Sequence, residues 1–159
     1  MADLAAASNG GKVILATCYD ERFPPESVID GQPDGFWATT GLFPQEIVVA
    51  LPEVSDVRRI TTNSLHVRKI VVETCGTERP TSFEKAYEAE LSNTKGAIQT
   101  ETHQINARAK FVKIIIESGY KSFAGLSKLA VIGDGEAVSS GGGGGGGGYG
   151  DGDSDGDGF

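Results

Sequence analysis

The chain has few of the residues that catalysis, secretion and membrane insertion usually require. Its 159 residues include two cysteines, two histidines, one tryptophan and one methionine. No apolar run approaches the roughly 20 residues that a membrane-spanning helix needs. The N-terminus, MADLAAASNGGK, has neither the basic start nor the long apolar stretch of a signal peptide. These absences predict a soluble, intracellular protein without membrane insertion.

Catalytic motifs are missing as well. The two histidines, His66 and His103, accompany no serine or cysteine in a nucleophile elbow. The glycine run at 141–148 opens no helix, so it is typical of a flexible linker rather than a phosphate-binding loop. Cys18 and Cys75 each lie beside a strand-like run, which favours two reduced thiols over a disulfide. We therefore predict that the protein is not an enzyme.

Positive charge is absent from the C-terminal part of the chain. From residue 134 onward the sequence contains six of the 22 acidic residues, no lysine or arginine, and almost nothing apolar. Such a segment cannot offset its ordering entropy, so 134–159 is predicted to be a disordered Gly/Asp-rich tail. Residues 1–133 then form one domain with a charge of about −2. That charge gives no general reason to bind nucleic acid.

Short β-branched runs, bounded by turn residues, make up most of this domain and are typical of strands. Residues 81–93 fit a helix, because Phe83, Tyr87 and Leu91 are four residues apart, but they also alternate as a half-exposed strand would. The all-β context favours the strand, with 96–107 as its hairpin partner. The predicted fold is all-β, an eight-stranded antiparallel jelly-roll β-sandwich. Its other strands are predicted at 12–17, 45–51, 57–63, 67–74, 109–118 and 127–133.

The only tryptophan lies in the densest cluster of turn-forming residues, SVIDGQPDGFWATTG at 27–41. Two Asp-Gly pairs, at 30–31 and 34–35, place oxygen-bearing side chains beside residues that tolerate positive φ. Val28, Ile29 and Trp37 are expected to enter the core, where the indole N–H needs a hydrogen-bond partner. An oxygen-rich loop of this kind suits Ca²⁺, which takes many backbone carbonyl ligands. Spacing alone leaves plain turns as the alternative.

The stretch at 13–51 resembles the opening of galactose-binding-like, discoidin-type jelly rolls, in which a buried IDG turn is followed by a tryptophan. More closely, the motifs ILAT, PPE, IDG, FW and TTGLFPQE resemble, in this order, those of the intraflagellar transport protein twenty-five family. The later motifs FVKIII and FAGLSKLAV extend the likeness to about 13–133.

The resemblance implies a function and a set of partners. It implies a non-catalytic subunit of intraflagellar transport complex B that forms a heterodimer with a Rab-like small GTPase. Other complex B subunits would be further partners, and the protein would support cargo transport in the cilium or flagellum. Its expected locations are the cilium or flagellum, the basal body and the cytoplasm.

The resemblance also implies one structural calcium ion in the turn-rich loop. Its ligands would combine main-chain carbonyls with the carboxylate of Asp30. The ion would join loops to one another rather than activate water. The implied ligands are the carbonyls of Ser27 and Gly35, the Asp30 side chain, Thr40, and a carbonyl near Phe123 or Ala124.

Two questions stay open from the residues. The alternative function is a calcium-stabilised carbohydrate- or lipid-binding discoidin-like module, whose aromatic platform would lie at 41–46 (Leu42, Phe43) and 118–123 (Tyr120, Lys121, Phe123). The residues that would contact the GTPase are the second question. A basic surface could complement an acidic partner, although an ordinary solvated sheet face explains the same pattern more simply. The residues of that basic surface would be Arg58, Arg59, Arg68 and Lys69.

Overall fold

The computed structural model describes residues 2–40 and 42–135. Most of the predicted disordered tail, from residue 136 onward, lies outside the described residues. The first two residues of that predicted tail, Asp134 and Gly135, are the end of the last strand.

The described residues form eight strands and two 3-10 turns, and they contain no α-helix. The 3-10 turns are Ala7–Asn9 and Pro25–Val28. The strands are β1 (Ala2–Asp3), β2 (Lys12–Ala16), β3 (Trp37–Ala38), β4 (Gln45–Leu65), β5 (Val67–Cys75), β6 (Glu84–Glu90), β7 (Gln99–Gly119) and β8 (Gly125–Gly135).

All strand pairs are antiparallel, and the two long strands β4 and β7 belong to both layers of a sandwich. In the first layer the strand order is β2–β4–β7–β5–β6, with Ile47 of β4 opposite Ile114 of β7. In the second layer the order is β7–β4–β8, and β1 and β3 pair with the far edge of β8. The register of β4 shifts between Ala50 and Ser55, where the strand passes from the first layer to the second. Bulges and register shifts bend a strand in this way.

The core lies between the inward faces of the two layers, as the alternation of apolar and polar residues requires. Ile47 and Val49 of β4 and Ile114 of β7 have no exposed surface in the first layer. Ile60 of β4 and Leu126 of β8 have none in the second. Burial of these side chains is the main term that stabilises the fold.

The all-β prediction, the antiparallel pairing and the number of strands are confirmed, but the strands are divided differently. The predicted strands 45–51 and 57–63 are one strand, β4, and 96–107 and 109–118 are one strand, β7. Residues 52–56, which separate the two predicted strands, are part of β4, and at Pro52 the chain bends without reversing. Proline is tolerated at such a point because the ladder is already interrupted. These two mergers reduce the eight predicted strands to six, and the two-residue strands β1 and β3, which were not predicted, bring the number back to eight.

The pairing predicted for 81–93 is wrong, although its assignment as a strand is confirmed. β6 pairs with β5, with Ala89 opposite Ile70, while 99–104 pairs with β4, with Thr102 opposite Thr61. β6 and the first half of β7 are edge strands of opposite layers. They approach each other through side chains. The alternation of residues within one strand is the same for such a contact as for hydrogen-bonded pairing, so the sequence could not separate the two.

The contact between these two edges includes a buried tyrosine hydroxyl. The Tyr87 ring stacks on the His103 ring, with 3.9 Å between their centroids. The Tyr87 hydroxyl oxygen is buried and has no hydrogen-bond partner among the described residues. Burial raises the pKa of the Tyr87 hydroxyl, and the Glu101 carboxylate raises it further.

We expect the Tyr87→Phe substitution to increase the free energy of unfolding by about 1 kcal/mol at pH 7, because it removes an unpaired buried hydroxyl. The raised pKa also predicts a pH dependence. Above a pH of about 10 the unfolded chain loses the Tyr87 proton and the folded chain keeps it, so stability falls as the pH rises. Urea unfolding at pH 7 and pH 10.5 measures both effects. An equally steep loss of stability in Tyr87→Phe would contradict the assignment to Tyr87.

Candidate metal site and family membership

The turn-rich loop is held to the core by its tryptophan. Trp37 has no exposed surface, and its indole Nε1–H donates a hydrogen bond of 3.0 Å to the carbonyl of Cys18. The Cys18 thiol in turn lies 3.6 Å from the carbonyl of Ala38 and donates to it. Both cysteines, Cys18 and Cys75, are free, as predicted. The predicted burial of the indole and its need for a partner are therefore confirmed.

The first part of the loop enters the core and then returns to the surface at Asp30. Val28 and Ile29 are buried, and the carbonyl of Ile29 accepts a hydrogen bond of 2.8 Å from the Ala7 amide. The exposed Asp30 carboxylate accepts a hydrogen bond of 2.9 Å from the Gln32 amide through Oδ1. Gly31, between them, has a φ of 77°, which a residue with a side chain rarely adopts. This turn leaves the second carboxylate oxygen of Asp30 with no hydrogen bond among the described residues.

Ser27 and Gly35 lie next to each other across the loop. A Cβ atom added to Gly35 would lie 3.2 Å from both the Cβ and the Oγ of Ser27, so the two backbone segments are in close contact. Ser27 is buried, with 6 % of its surface exposed. The two carbonyls predicted as ligands therefore belong to adjacent backbone segments, which fits their binding of one ion.

The other predicted ligands lie around a second contact, which involves Thr39 rather than Thr40. The Thr39 amide donates a hydrogen bond of 2.8 Å to the Ala124 carbonyl, and the Ala124 amide donates one of 2.9 Å to the Thr39 hydroxyl oxygen. The Thr39 hydroxyl also donates to the Ala124 carbonyl at 3.3 Å. Thr40 is exposed, and the ring of Phe123 meets the edge of His66, with 5.2 Å between centroids. Thr39 was not among the ligands predicted from the sequence. Its alternation with the buried Trp37 is the one signal in the sequence that could have indicated it.

Ser27 and Asp30 line a cleft of about 380 Å³, which Gly35, Thr40, Phe123 and Ala124 do not line. The same cleft is also lined by three residues that were not predicted from the sequence, Asp3, Asn63 and Lys128. No group of three or more His, Cys, Asp or Glu side chains among the described residues is placed to hold a metal ion. A cation at this loop would therefore depend mainly on main-chain and hydroxyl oxygens, which suits Ca²⁺ better than a transition metal.

Three curated relatives match most of the chain. The chain is 49 % identical over 133 residues to intraflagellar transport protein 25 of Chlamydomonas reinhardtii, covering 84 % of this chain and 70 % of the relative. It is 38 % identical over 141 residues to the Mus musculus homologue, covering 87 % of this chain and 96 % of the relative. The Homo sapiens homologue is 36 % identical over 132 residues, covering 82 % and 92 %. The chain belongs to the intraflagellar transport protein 25 family. No protein-family model matches it.

Solved structures that resemble this intraflagellar transport protein 25 family member share its fold. A chitosan-binding module from a Paenibacillus chitosanase/glucanase has a TM-score of 0.70 at 20 % identity, covering 82 % of this chain and 98 % of that one. A family 32 carbohydrate-binding module from Clostridium perfringens NanJ, in complex with galactose, has a TM-score of 0.67 at 20 % identity, covering 82 % and 97 %. These matches confirm the galactose-binding-like jelly roll.

The aromatic residues that could have formed a sugar platform contact the protein itself. The Tyr120 hydroxyl donates a hydrogen bond of 2.7 Å to the Leu91 carbonyl. Phe43 is half-buried against the core, and Phe123 contacts His66. Leu42 is 89 % exposed, but it is aliphatic. None of the helices in the described part of this family member is long and apolar enough to span a membrane.

The four basic residues suggested as a GTPase contact do not form one surface. Arg58 and Arg59 lie on the half of β4 that belongs to the second layer, whereas Arg68 and Lys69 lie on β5 in the first layer. Lys69 is 3.6 Å from Glu117, so part of its charge is already balanced within the chain. The hypothesis of a single basic surface made of these four residues is therefore wrong.

Proposed function

We propose that this chain is a non-catalytic subunit of intraflagellar transport complex B, where it forms a heterodimer with a Rab-like small GTPase and contacts other complex B subunits. It supports cargo transport in the cilium or flagellum, and is also located at the basal body and in the cytoplasm. The observation that carries the proposal is the identity of 36–49 % to three intraflagellar transport protein 25 relatives over more than four fifths of the chain. A β-sandwich also supplies a rigid, preorganised surface, which lowers the entropy cost of docking.

We further propose that the turn-rich loop binds one structural Ca²⁺. The carbonyls of Ser27 and Gly35 and the Asp30 carboxylate form one side of the site, and the Thr40 hydroxyl and the Phe123 carbonyl complete it. The Ala124 carbonyl is the weakest of the predicted ligands, because it already accepts two hydrogen bonds from Thr39. When bound, the ion supplies a divalent charge that several loop oxygens share. These residues then keep the loop ends at fixed positions beside the second layer.

Co-expression with the GTPase tests the proposed assembly. The two chains are expected to elute from gel filtration as a single complex with one copy of each, measured by light scattering. A small GTPase from outside the transport complex, co-expressed in the same way, is the control and should elute separately. Separate elution of the transport GTPase itself would contradict the heterodimer and favour the ligand-binding module.

A further inference from the structure

The outward side of the second layer has little charge where it borders the turn-rich loop. At its other end Arg108 pairs with Asp56 at 3.3 Å and Arg58 with Asp134 at 3.7 Å. On the part with little charge, three residues from each of β8, β4 and β7 lie in register, because the residues between them on β4 and β8 are buried in the core. Ala130, in the middle of the β8 edge, is itself only 7 % exposed. We call this surface the Thr/Asn face. Its rows are Lys128–Asn63–Thr100, Ala130–Thr61–Thr102 and Ile132–Arg59–Gln104.

Hydrogen bonds between side chains order the centre of the Thr/Asn face. The hydroxyl oxygens of Thr61 and Thr102 are 3.0 Å apart, and the Thr100 hydroxyl donates to the Asn63 side-chain oxygen at 3.0 Å. These four side chains therefore lose little further freedom when another surface covers them. A preordered surface of this kind binds a partner at lower entropy cost.

The outward side of the first layer is different, because its ion pairs lie at its centre, on the middle strand β7 and on β5. Lys113 lies 3.9 Å from Glu46 and 3.8 Å from Glu73. Lys69 lies 3.8 Å from Glu88 and 3.6 Å from Glu117. Covering such a surface removes water from many charged groups that have already satisfied one another. Interface centres are depleted of charged residues, so the Thr/Asn face is the better candidate.

The two cations of the Thr/Asn face indicate the chemistry of its occupant. Arg59 and Lys128 are exposed, and neither has an ion pair or hydrogen bond from its side chain within 2–40 and 42–135. They lie four residues apart along neighbouring strands, at rows that are roughly 14 Å apart. An occupant with carboxylates at that spacing and an uncharged centre would complement them. Two cations are too few for a nucleic acid backbone, whose binding depends on many phosphate contacts.

The Thr/Asn face is also continuous with the turn-rich loop. Asn63 and Lys128 line the same cleft as Ser27 and Asp30. A cation held by Asp30 would therefore fix the border of this face.

We infer that the Thr/Asn face is the surface on which the GTPase of the proposed function docks, with carboxylates of the GTPase near Arg59 and Lys128. This inference rests on the proposed function, since it names the surface for that partner. It replaces the basic surface that combined both layers and keeps only Arg59 from it.

Two substitutions on the same strand provide a matched test. Thr102→Arg places a cation at the centre of the Thr/Asn face, and Glu117→Arg places one on the outward side of the first layer. Both positions are on β7, and both side chains are solvent-exposed. We expect Thr102→Arg to weaken GTPase binding by about 100-fold and Glu117→Arg to change it by less than about 3-fold. Titration calorimetry measures the affinities, and circular dichroism melting checks that each variant folds.

Two further variants keep the test decisive. Gln104→Arg, on the same face and exposed, serves if Thr102→Arg fails to fold, and the same loss of binding is expected. Arg59→Glu should weaken binding about 10-fold and reduce its dependence on salt.

Three outcomes would overturn the inference. If the wild-type chain binds the GTPase, and Thr102→Arg and Gln104→Arg bind it equally well, the Thr/Asn face is not the docking surface while the proposed function stands. If the wild-type chain does not bind the GTPase, the docking surface and the proposed heterodimer are both wrong. A dimer of this chain that Thr102→Arg dissociates would show that a second copy, not the GTPase, occupies the face.

Discussion

Replacing Trp37 with alanine is expected to lower the free energy of unfolding by about 3–5 kcal/mol, which is a large part of the stability of an ordinary domain. Trp37 has no exposed surface and is one of the largest buried side chains. Its removal leaves a cavity between the loop and the core, and it also leaves the Cys18 carbonyl without the indole donor. Urea unfolding followed by circular dichroism measures the loss.

Two further substitutions separate the causes. Trp37→Phe keeps an aromatic ring but removes the N–H donor, so it is expected to cost less than Trp37→Ala. Tyr19→Ala is the surface control, since Tyr19 is 65 % exposed, and it should change the stability by less than about 0.5 kcal/mol. Equal effects of Trp37→Ala and Tyr19→Ala would contradict a structural role for the indole.

Removing the proposed calcium ion is expected to have the second largest effect. At a free Ca²⁺ concentration 100 times the dissociation constant, binding to the folded chain alone stabilises it by about 2.7 kcal/mol. For a chain of this size, chelation should then lower the melting temperature by roughly 5–10 °C. Differential scanning calorimetry with and without chelator measures this shift directly.

The two Asp-Gly pairs of the loop provide a matched comparison. Asp30→Ala should abolish calcium binding in titration calorimetry and remove the effect of chelator on melting. Asp34→Ala removes another exposed carboxylate from the same loop and should leave both the calcium binding and the effect of chelator nearly unchanged. If chelator does not alter the melting of the wild-type chain, the structural role of calcium is wrong, whichever residues bind the ion.

Much of the fold could be predicted because it follows from local patterns. Short runs rich in β-branched residues at 12–17 and 67–74 predicted β2 and β5, since such residues favour an extended strand. The division of β4 and β7 could not be predicted, because Pro52 is equally compatible with a turn and with a bend between layers. The pairing of β6 was missed for a related reason, since the composition of a strand does not indicate which neighbouring strand it will hydrogen-bond to.

The candidate site was predictable to a similar extent. Asp30 and Trp37 could be placed from the turn chemistry around them, because Asp-Gly turns and buried indoles have strong local requirements. The contact between Thr39 and Ala124 joins residues 85 positions apart, and no local pattern distinguishes Thr39 from Thr40 as its member. Asp3 and Lys128 enter the same cleft through the pairing of β1 with β8 and of β8 with β4, which the sequence did not predict.

The amino-acid sequence alone determined that the chain is an all-β domain, that its indole is buried beside an oxygen-rich loop, and that its motifs resemble one family. Each of these depends on residues close together in the chain, where hydrophobic periodicity and backbone preference act directly. Only the tertiary structure decided which outward surface has little charge. That surface combines three residues from each of β4, β7 and β8, and strand register, which is set when distant segments pair, makes them neighbours.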